Sequence, residues 1–447
     1  MLEMISKHGM PSRKTGKLIN YSLRVALAIA GFIFILNTAF YFFYKLPMDV
    51  ESPWSNISEY NLDFWKDKPL EKGPYLNWQD NTSTTMTVSW ETVNPCDTIL
   101  RYGIEPSNLN LSVTNASMTL LHQVNLMGLQ PDTVYYYQAD SSSPGEIPTW
   151  MGEIKKFRTA PTSFTPYKFA IIGDPQRANE YSHARTNWVV ERMVRNELSG
   201  MDHKDNIAFC LGLGDYFQWS KYSWEIQRYF NQTRLLMENA SFMPAIGNHD
   251  HANQIEYVNG TVDNVNAFKK YFALPRNGLD VPGQDQVEED YSFIYAGCYF
   301  LTLDISRGNE NMSTARIHWI EDRLTESEAY HWTCVCFHYP LYCSQLDYPE
   351  YRAILAPMFE AHDVDCVFYG HQHYYEHAHI NGVHYFESGG AGGHLNGIHF
   401  NRWYTSRNMS RQYHYMRLAL ESPTRARVTS ISSFGTILDD FIIDKGV

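Results

Sequence analysis

The sequence predicts an all-β sandwich followed by a layered α/β domain, both behind one N-terminal transmembrane helix. Three observations carry this. Residues 25–44 form an apolar run without a charge, residues 85–158 alternate in short strand-like stretches, and from residue 167 apolar strands alternate with helical spacing. The chain has 447 residues, 44% hydrophobic and 19% charged, which suits two or three globular units and excludes a disordered chain or a fibrous rod. Its net charge of −13 makes nucleic acid a poor partner, because phosphate neutralisation needs basic patches and none follows the N-terminus.

Residues 1–24 carry Lys7, Arg13, Lys14, Lys17 and Arg24 against Glu3. The uncharged run VALAIAGFIFILNTAFYFFY at 25–44 follows at once, and its 20 residues are long enough to span a bilayer core as a helix. A cleaved signal peptide has a shorter apolar stretch and a small-residue exit, whereas this run leaves through Tyr44-Lys45-Leu46-Pro47. The segment is expected to be a signal anchor, with residues 1–24 cytosolic and the rest outside the cell or in a lumen. Nine N-x-S/T sequons beyond the anchor, from Asn56 to Asn408, agree with a secretory address. Residues 45–68, with Pro47 and Pro53, are expected to be a stalk. The seven cysteines show no C-x-x-C pair and are expected to be mostly buried thiols, with at most a few bridges.

Thr85–Trp90 alternates small polar and apolar residues, as a half-buried strand does. Further strands are expected at 98–102, 120–126, 134–139 and 153–158, with turns at Asn94-Pro95, Glu105-Pro106 and Pro144-Gly145. This spacing suggests a β-sandwich over 69–160. The run from Gly128 to Tyr135 fits a tyrosine corner and resembles the loop of fibronectin type III-like domains. Ala160-Pro161-Thr162 marks the boundary to a second domain over 165–447. There strands are expected at 167–173, 206–214, 242–247, 333–337 and 364–370. Helices are expected at 187–199, 223–239, 314–327 and 351–361, a hairpin at 291–305 and a β-rich end from Tyr413.

Five short motifs fall at the C-terminal ends of those strands, where open α/β sheets bind their ligands. They are Gly173-Asp174-Pro175-Gln176, Gly214-Asp215-Tyr216, Gly247-Asn248-His249-Asp250, Phe337-His338-Tyr339-Pro340 and Gly370-His371-Gln372-His373. Oxygen donors with imidazoles suit Zn, Mn or Fe, and the lack of clustered thiolates argues against Fe–S or structural zinc. Each motif alone is as easily a turn or a satisfied histidine; five in this order point to a metal site.

That order resembles the calcineurin-like metallophosphoesterase superfamily, and a sandwich ahead of the catalytic domain is similar to the purple acid phosphatases. Gly370-His371-Gln372-His373-Tyr374-Tyr375-Glu376-His377 is similar to their GHxHxYER, with His377 in place of Arg. The resemblance implies two metal ions, Fe, Zn or Mn, and in-line hydrolysis of a small phosphorylated substrate. By the same resemblance Asp215 bridges the ions, Asp174 and His373 hold the first, and Asn248, His338 and His371 hold the second. His249 then contacts the phosphate and protonates the leaving group, with Asp250 as its orienting partner. Two positions depart from the pattern. The tyrosinate position three residues after Asp215 is Gln218, and the first motif ends in Gln176, whose amide is either a ligand of the first ion or a loop amide. Without a tyrosinate, ferric iron is not expected at the first site. A phosphodiesterase on a nucleotide or phospholipid head group would use the same residues, and a catalytically inactive surface adhesion or receptor protein would share the two domains.

The anchor generates a topology test. Protease outside intact microsomes is expected to digest an N-terminal tag while residues 45–447 stay protected and glycosylated and the Asn20 sequon stays bare. A glycan on Asn20, or a mature N-terminus beyond residue 44, would contradict the anchor.

Overall fold

The computed structural model describes residues 70–141, 150–176, 182–200, 205–220, 223–251, 266–281, 284–306, 312–398 and 406–445. The expected tail, anchor and stalk and the turn at Pro144-Gly145 lie outside them. Among the described residues no helix is long and apolar enough to cross a membrane.

The first domain is β-rich. Its strands are β1 (Leu70–Asn77), β2 (Thr85–Gly103), β3 (Leu111–Met127), β4 (Val134–Ser141), β5 (Trp150–Met151) and β6 (Lys155–Arg158), hydrogen-bonded into one six-stranded sheet. The expected turn at Asn94-Pro95 is not a chain reversal. β2 runs through it, with register shifts against β3 on both sides of Cys96. A proline lacks the N–H a regular ladder needs, so Pro95 falls where the ladder is broken by a bulge. The bulge bends the strand. Asp140 of β4 pairs with Ile99, yet the Trp90 indole N–H reaches the neighbouring Ser141 Oγ at 3.2 Å. A straight strand would hold positions 90 and 99 about 30 Å apart. The tyrosine corner forms as expected, with the Tyr135 hydroxyl accepting from the Gln130 N–H at 3.0 Å.

The second domain stacks two sheets between helices. One sheet has the order β21-β20-β19-β7-β8-β9, from β7 (Tyr167–Ile172), β8 (Phe209–Gly212), β9 (Ser241–Pro244), β19 (His414–Ser422), β20 (Arg425–Ser432) and β21 (Ile437–Asp444). The other has the order β12-β13-β14-β15-β17-β16-β18, from β12 (Tyr291–Tyr295), β13 (Cys298–Thr302), β14 (Thr333–Cys336), β15 (Cys366–Tyr369), β16 (Tyr375–Ile380), β17 (Val383–Ser388) and β18 (Ser406–Ser410). A small hairpin, β10 (Asp280–Val281) with β11 (Gln284–Asp285), stands apart. β7, β8 and β9 are parallel to one another, as are β13, β14, β15 and β17.

Aromatic rings fill the seam between the sheets. Phe169 of β7 stacks on Phe209 of β8 at 5.0 Å and meets Phe300 of β13 edge-on at 5.4 Å. Such pairs contribute beyond the area they bury. The helices are α1 (Ser182–Glu197), α2 (Ser223–Met237), α3 (Asn266–Tyr271), α4 (Thr314–Ser327) and α5 (Pro349–Ala361). α4 and α5 bury Ile320, Leu324, Leu355 and Phe359 against Leu301, Val335 and Val367. α1 begins five residues before the expected helix, because its apolar spacing shows only from Trp188 onward. All seven cysteines are buried thiols, and none forms a disulfide.

The domains join directly. Tyr137 donates to the Glu238 carbonyl at 2.8 Å and Tyr75 to the Tyr271 carbonyl at 2.8 Å.

A buried ion pair ties α4 to the second sheet. Arg316 donates two bonds to Asp290, at 2.7 and 2.6 Å, and one to the Asp304 carbonyl at 2.6 Å. Asp290 also accepts the Asp304 N–H at 2.8 Å. Arg316→Met would leave Asp290 buried and uncompensated, so a loss of about 3–5 kcal/mol is expected in denaturant unfolding. A loss under about 1 kcal/mol, typical of an exposed pair, would contradict the role given to this contact.

Candidate metal centre

The functional side chains stand at the C-terminal ends of five parallel strands, three in one sheet and two in the other. Asp174 follows β7, Asp215 follows β8, Asn248 and His249 follow β9, His338 follows β14, and His371 and His373 follow β15. The backbone turns sharply there, with left-handed φ at Asp174 (60°), Asp215 (59°) and His371 (76°). Glycines give the carboxylates room. A Cβ on Gly247 would meet Asp215 Oδ1 at 2.2 Å, and one on Gly370 would meet Asp174 Oδ2 at 2.3 Å.

One donor set closes on a single point. Asn248 Oδ1 lies 3.0 Å from His338 Nε2 and 3.0 Å from His371 Nδ1. His338 Nε2 is 3.3 Å from His371 Nδ1 and 3.2 Å from Asp215 Oδ2. Bonds of about 2.0–2.1 Å to one tetrahedral cation would space their ligand atoms about 3.3 Å apart. Asp215, His338 and His371 also form a metal-capable group with ligand atoms within 4.8 Å of one another. The second set adjoins it. His373 Nε2 is 3.4 Å from Asp174 Oδ1, while the Gln176 amide nitrogen is 3.1 Å from Asp215 Oδ2 and 3.2 Å from His373 Nε2. Gln176 Oε1 is buried without a hydrogen-bond partner. Exchanging the amide oxygen and nitrogen turns that oxygen toward Asp215 and His373. Both sets thus fit cations, with Asp215 between them.

Other contacts orient these ligands. His338 Nδ1 faces the Leu213 carbonyl at 2.8 Å, and His373 Nδ1 the His394 carbonyl at 2.8 Å. His371 Nε2 meets the Tyr348 hydroxyl at 2.9 Å, and the Tyr348 ring stacks on Tyr339 at 4.1 Å. Such outer contacts fix the tautomer and leave the other nitrogen free to ligate. The electrostatics are those of charge packed into a dry site. Burial disfavours a protonated His338, but the adjacent Asp215 carboxylate outweighs it and holds the imidazole up at about 9. Burial and the charge of His338 push His371 down to about 4.

Asp250 has a different role from the expected one. It does not orient His249. Its carboxylate accepts the N–H groups of Asp215 (2.7 Å), Tyr216 (2.8 Å) and Gly247 (2.8 Å), binding two strand-end loops together. Burial and the neighbouring charge of Asp215 push Asp250 up to about 7. His249 is oriented instead through Nδ1, which lies 3.1 Å from the Gln218 carbonyl and 3.3 Å from the Gln218 amide nitrogen. Gln218 thus lies against His249 and makes no contact with the donor sets. Tyr216 does not replace the missing tyrosinate. Its buried hydroxyl donates to the Ala245 carbonyl at 2.9 Å and accepts from the Gly214 N–H at 3.0 Å, and burial raises its pKa well above the ordinary value. Sequence reasoning missed Tyr348 because it sits at the N-cap of α5, outside the five strand-end motifs, and nothing local marks it as a partner of His371.

The architecture and the donor sets define a metallophosphoesterase. Residues 167–375 match the calcineurin-like phosphoesterase family and residues 72–159 the purple acid phosphatase N-terminal domain. The chain is therefore a metal-dependent phosphatase of purple acid phosphatase type. It is 26% identical over 336 residues to purple acid phosphatase 18 of Arabidopsis thaliana, covering 70% of this chain and 68% of that one. Among solved structures, a purple acid phosphatase from yellow lupin (Lupinus luteus) seeds superposes with a TM-score of 0.66 at 17% identity, over 83% of this chain and 74% of the other. The structure of PhoD superposes with a TM-score of 0.59 at 12% identity, over 84% and 90%. At these identities the structural matches speak to the fold.

Two outcomes follow. Asp215→Ala is expected to lose both ions and activity, His338→Ala mainly one ion, and His249→Ala activity alone, by about 10²–10⁴-fold. Metal analysis beside turnover checks this, and a His249→Ala protein with normal turnover would overturn the assignment. With no phenolate among the donors, the active protein is also expected to be colourless and to work with Mn or Zn. A strong visible band after purification in iron-rich, oxidising buffer would contradict that.

Proposed function

We propose that this chain is a phosphomonoesterase anchored in a membrane by residues 25–44, with its catalytic domain outside the cytosol. The observation that carries the catalytic part is the closure of Asp215, Asn248, His338 and His371 on one point, with His249 beside it. The His249 N–H donates to Asp215 Oδ1 at 2.8 Å, so the histidine moves with the proposed bridge. Its Nδ1 is engaged by Gln218, which leaves Nε2 to face a phosphate and pass a proton to the departing oxygen. Two cations held by the donor sets would supply charge to the phosphoryl oxygens and lower the pKa of the attacking water. Asp174, held by the His371 N–H at 3.0 Å, keeps the first donor set in place. The charge-free run after a basic tail supports the anchor.

Turnover of 4-nitrophenyl phosphate against its bis-ester by the full chain tests the reaction class. The monoester is expected to be the better substrate by kcat/KM. A preference for the bis-ester would favour a phosphodiesterase, and no turnover of either with full metal occupancy would favour a non-catalytic role.

A further inference from the structure

The loop after Asp215 arranges its side chains in a definite order. Tyr216 and Phe217 are buried, Gln218 lies against His249, and Trp219 stands 40% exposed. Its backbone is pinned, since the Trp219 N–H donates to the buried Glu225 carboxylate of α2 at 2.7 Å. The ring lies 6.5 Å from the His249 ring with the planes 80° apart, so the indole stands edge-to-face with the imidazole. Among the described residues, none of the recorded contacts of Trp219, Gln218 or His249 is with a lysine or arginine.

An exposed tryptophan held by a buried carboxylate carries area that folding did not use. His249 fixes which part of a substrate would meet it. In the proposed reaction His249 gives its proton to the leaving oxygen, so the leaving group lies on the His249 side of the phosphorus. Trp219 offers an exposed apolar surface in ring contact with His249. We infer that Trp219 is a specificity-determining residue that receives the leaving group, and that the substrate class is phosphate esters of planar aromatic alcohols. The inference rests on the proposed role of His249. An aromatic ring on the leaving group gains a stacking partner there, which a small alkyl group does not.

The metal-loaded full chain tests this through binding as well as turnover. Phenylphosphonate and methylphosphonate serve as non-hydrolysable probes by calorimetry, and 4-nitrophenyl phosphate and glycerol 2-phosphate as substrates. The wild type is expected to bind the phenyl probe more tightly. Trp219→Ala should reduce that preference by roughly three- to tenfold, the worth of one aromatic pair, and Trp219→Phe should keep most of it. In Trp219→Ala the KM for the aryl ester should rise more than the KM for the alkyl ester, with metal content unchanged. Equal binding of the two probes by the wild type, or an equal change for both in Trp219→Ala, would overturn the inference. A wild type that prefers the phenyl probe yet hydrolyses neither ester would uphold the subsite and sink the phosphatase reading instead.

Discussion

The site depends on one buried carboxylate that does not face the substrate. Asp250 accepts the backbone N–H groups of Asp215, Tyr216 and Gly247, with a longer bond from Phe217 at 3.4 Å, and so fixes the left-handed turn that aims Asp215 inward. Without it those N–H groups would be buried without acceptors, which costs about 1–3 kcal/mol each. Asp215 in turn orders what lies around it. One oxygen takes the His249 N–H and the other faces His338. Two carboxylates this close in a dry site call for positive charge nearby. The upward pull of Asp215 on the His338 pKa reflects that demand, and cations between the donor sets would meet it.

The two sheets are placed so that this demand can be met. Their parallel strands end at the same edge of the aromatic seam, so β7, β8 and β9 deliver Asp174, Asp215 and Asn248 while β14 and β15 deliver the three imidazoles. Neither sheet alone completes either donor set. The seam is rigid because its rings interlock, as Phe169 does with Phe209, Phe300 and Phe368. Arg316 and Asp290 add a fixed point through Asp304, whose side chain reaches His251 at 3.3 Å just beyond the Asn248 loop. The metal geometry is thus a property of the whole second domain.

Much of this was legible in the sequence, for a physical reason. Buried parallel strands read as short apolar runs, and the Gly-Asp, Gly-Asn-His-Asp and Gly-His-x-His sequences mark where they end. The donor residues could therefore be assigned to strand ends before their distances were known. Three features were not legible. Asn94-Pro95 has turn composition, but a bulge in a long strand has the same composition, and only pairing with β3 separates them. Asp250 beside His249 suggested a local partnership, yet its carboxylate serves the Gly247 amide and, more than 30 residues away, those of Asp215 and Tyr216. Tyr348 reaches His371 across 23 positions from the start of α5, and no local pattern announces that contact.

The most direct test of the central claim is the metal content of the purified full chain and of Asp250→Asn beside it. If Asp215 bridges two ions and Asp250 only holds the loops, the wild type carries two ions per chain. Asp250→Asn keeps part of the acceptor geometry and retains metal at reduced occupancy. A wild type with one ion or none after reconstitution with Mn or Zn would contradict the two-metal site. Full occupancy in Asp250→Ala, which removes every acceptor, would contradict the dependence of Asp215 on Asp250.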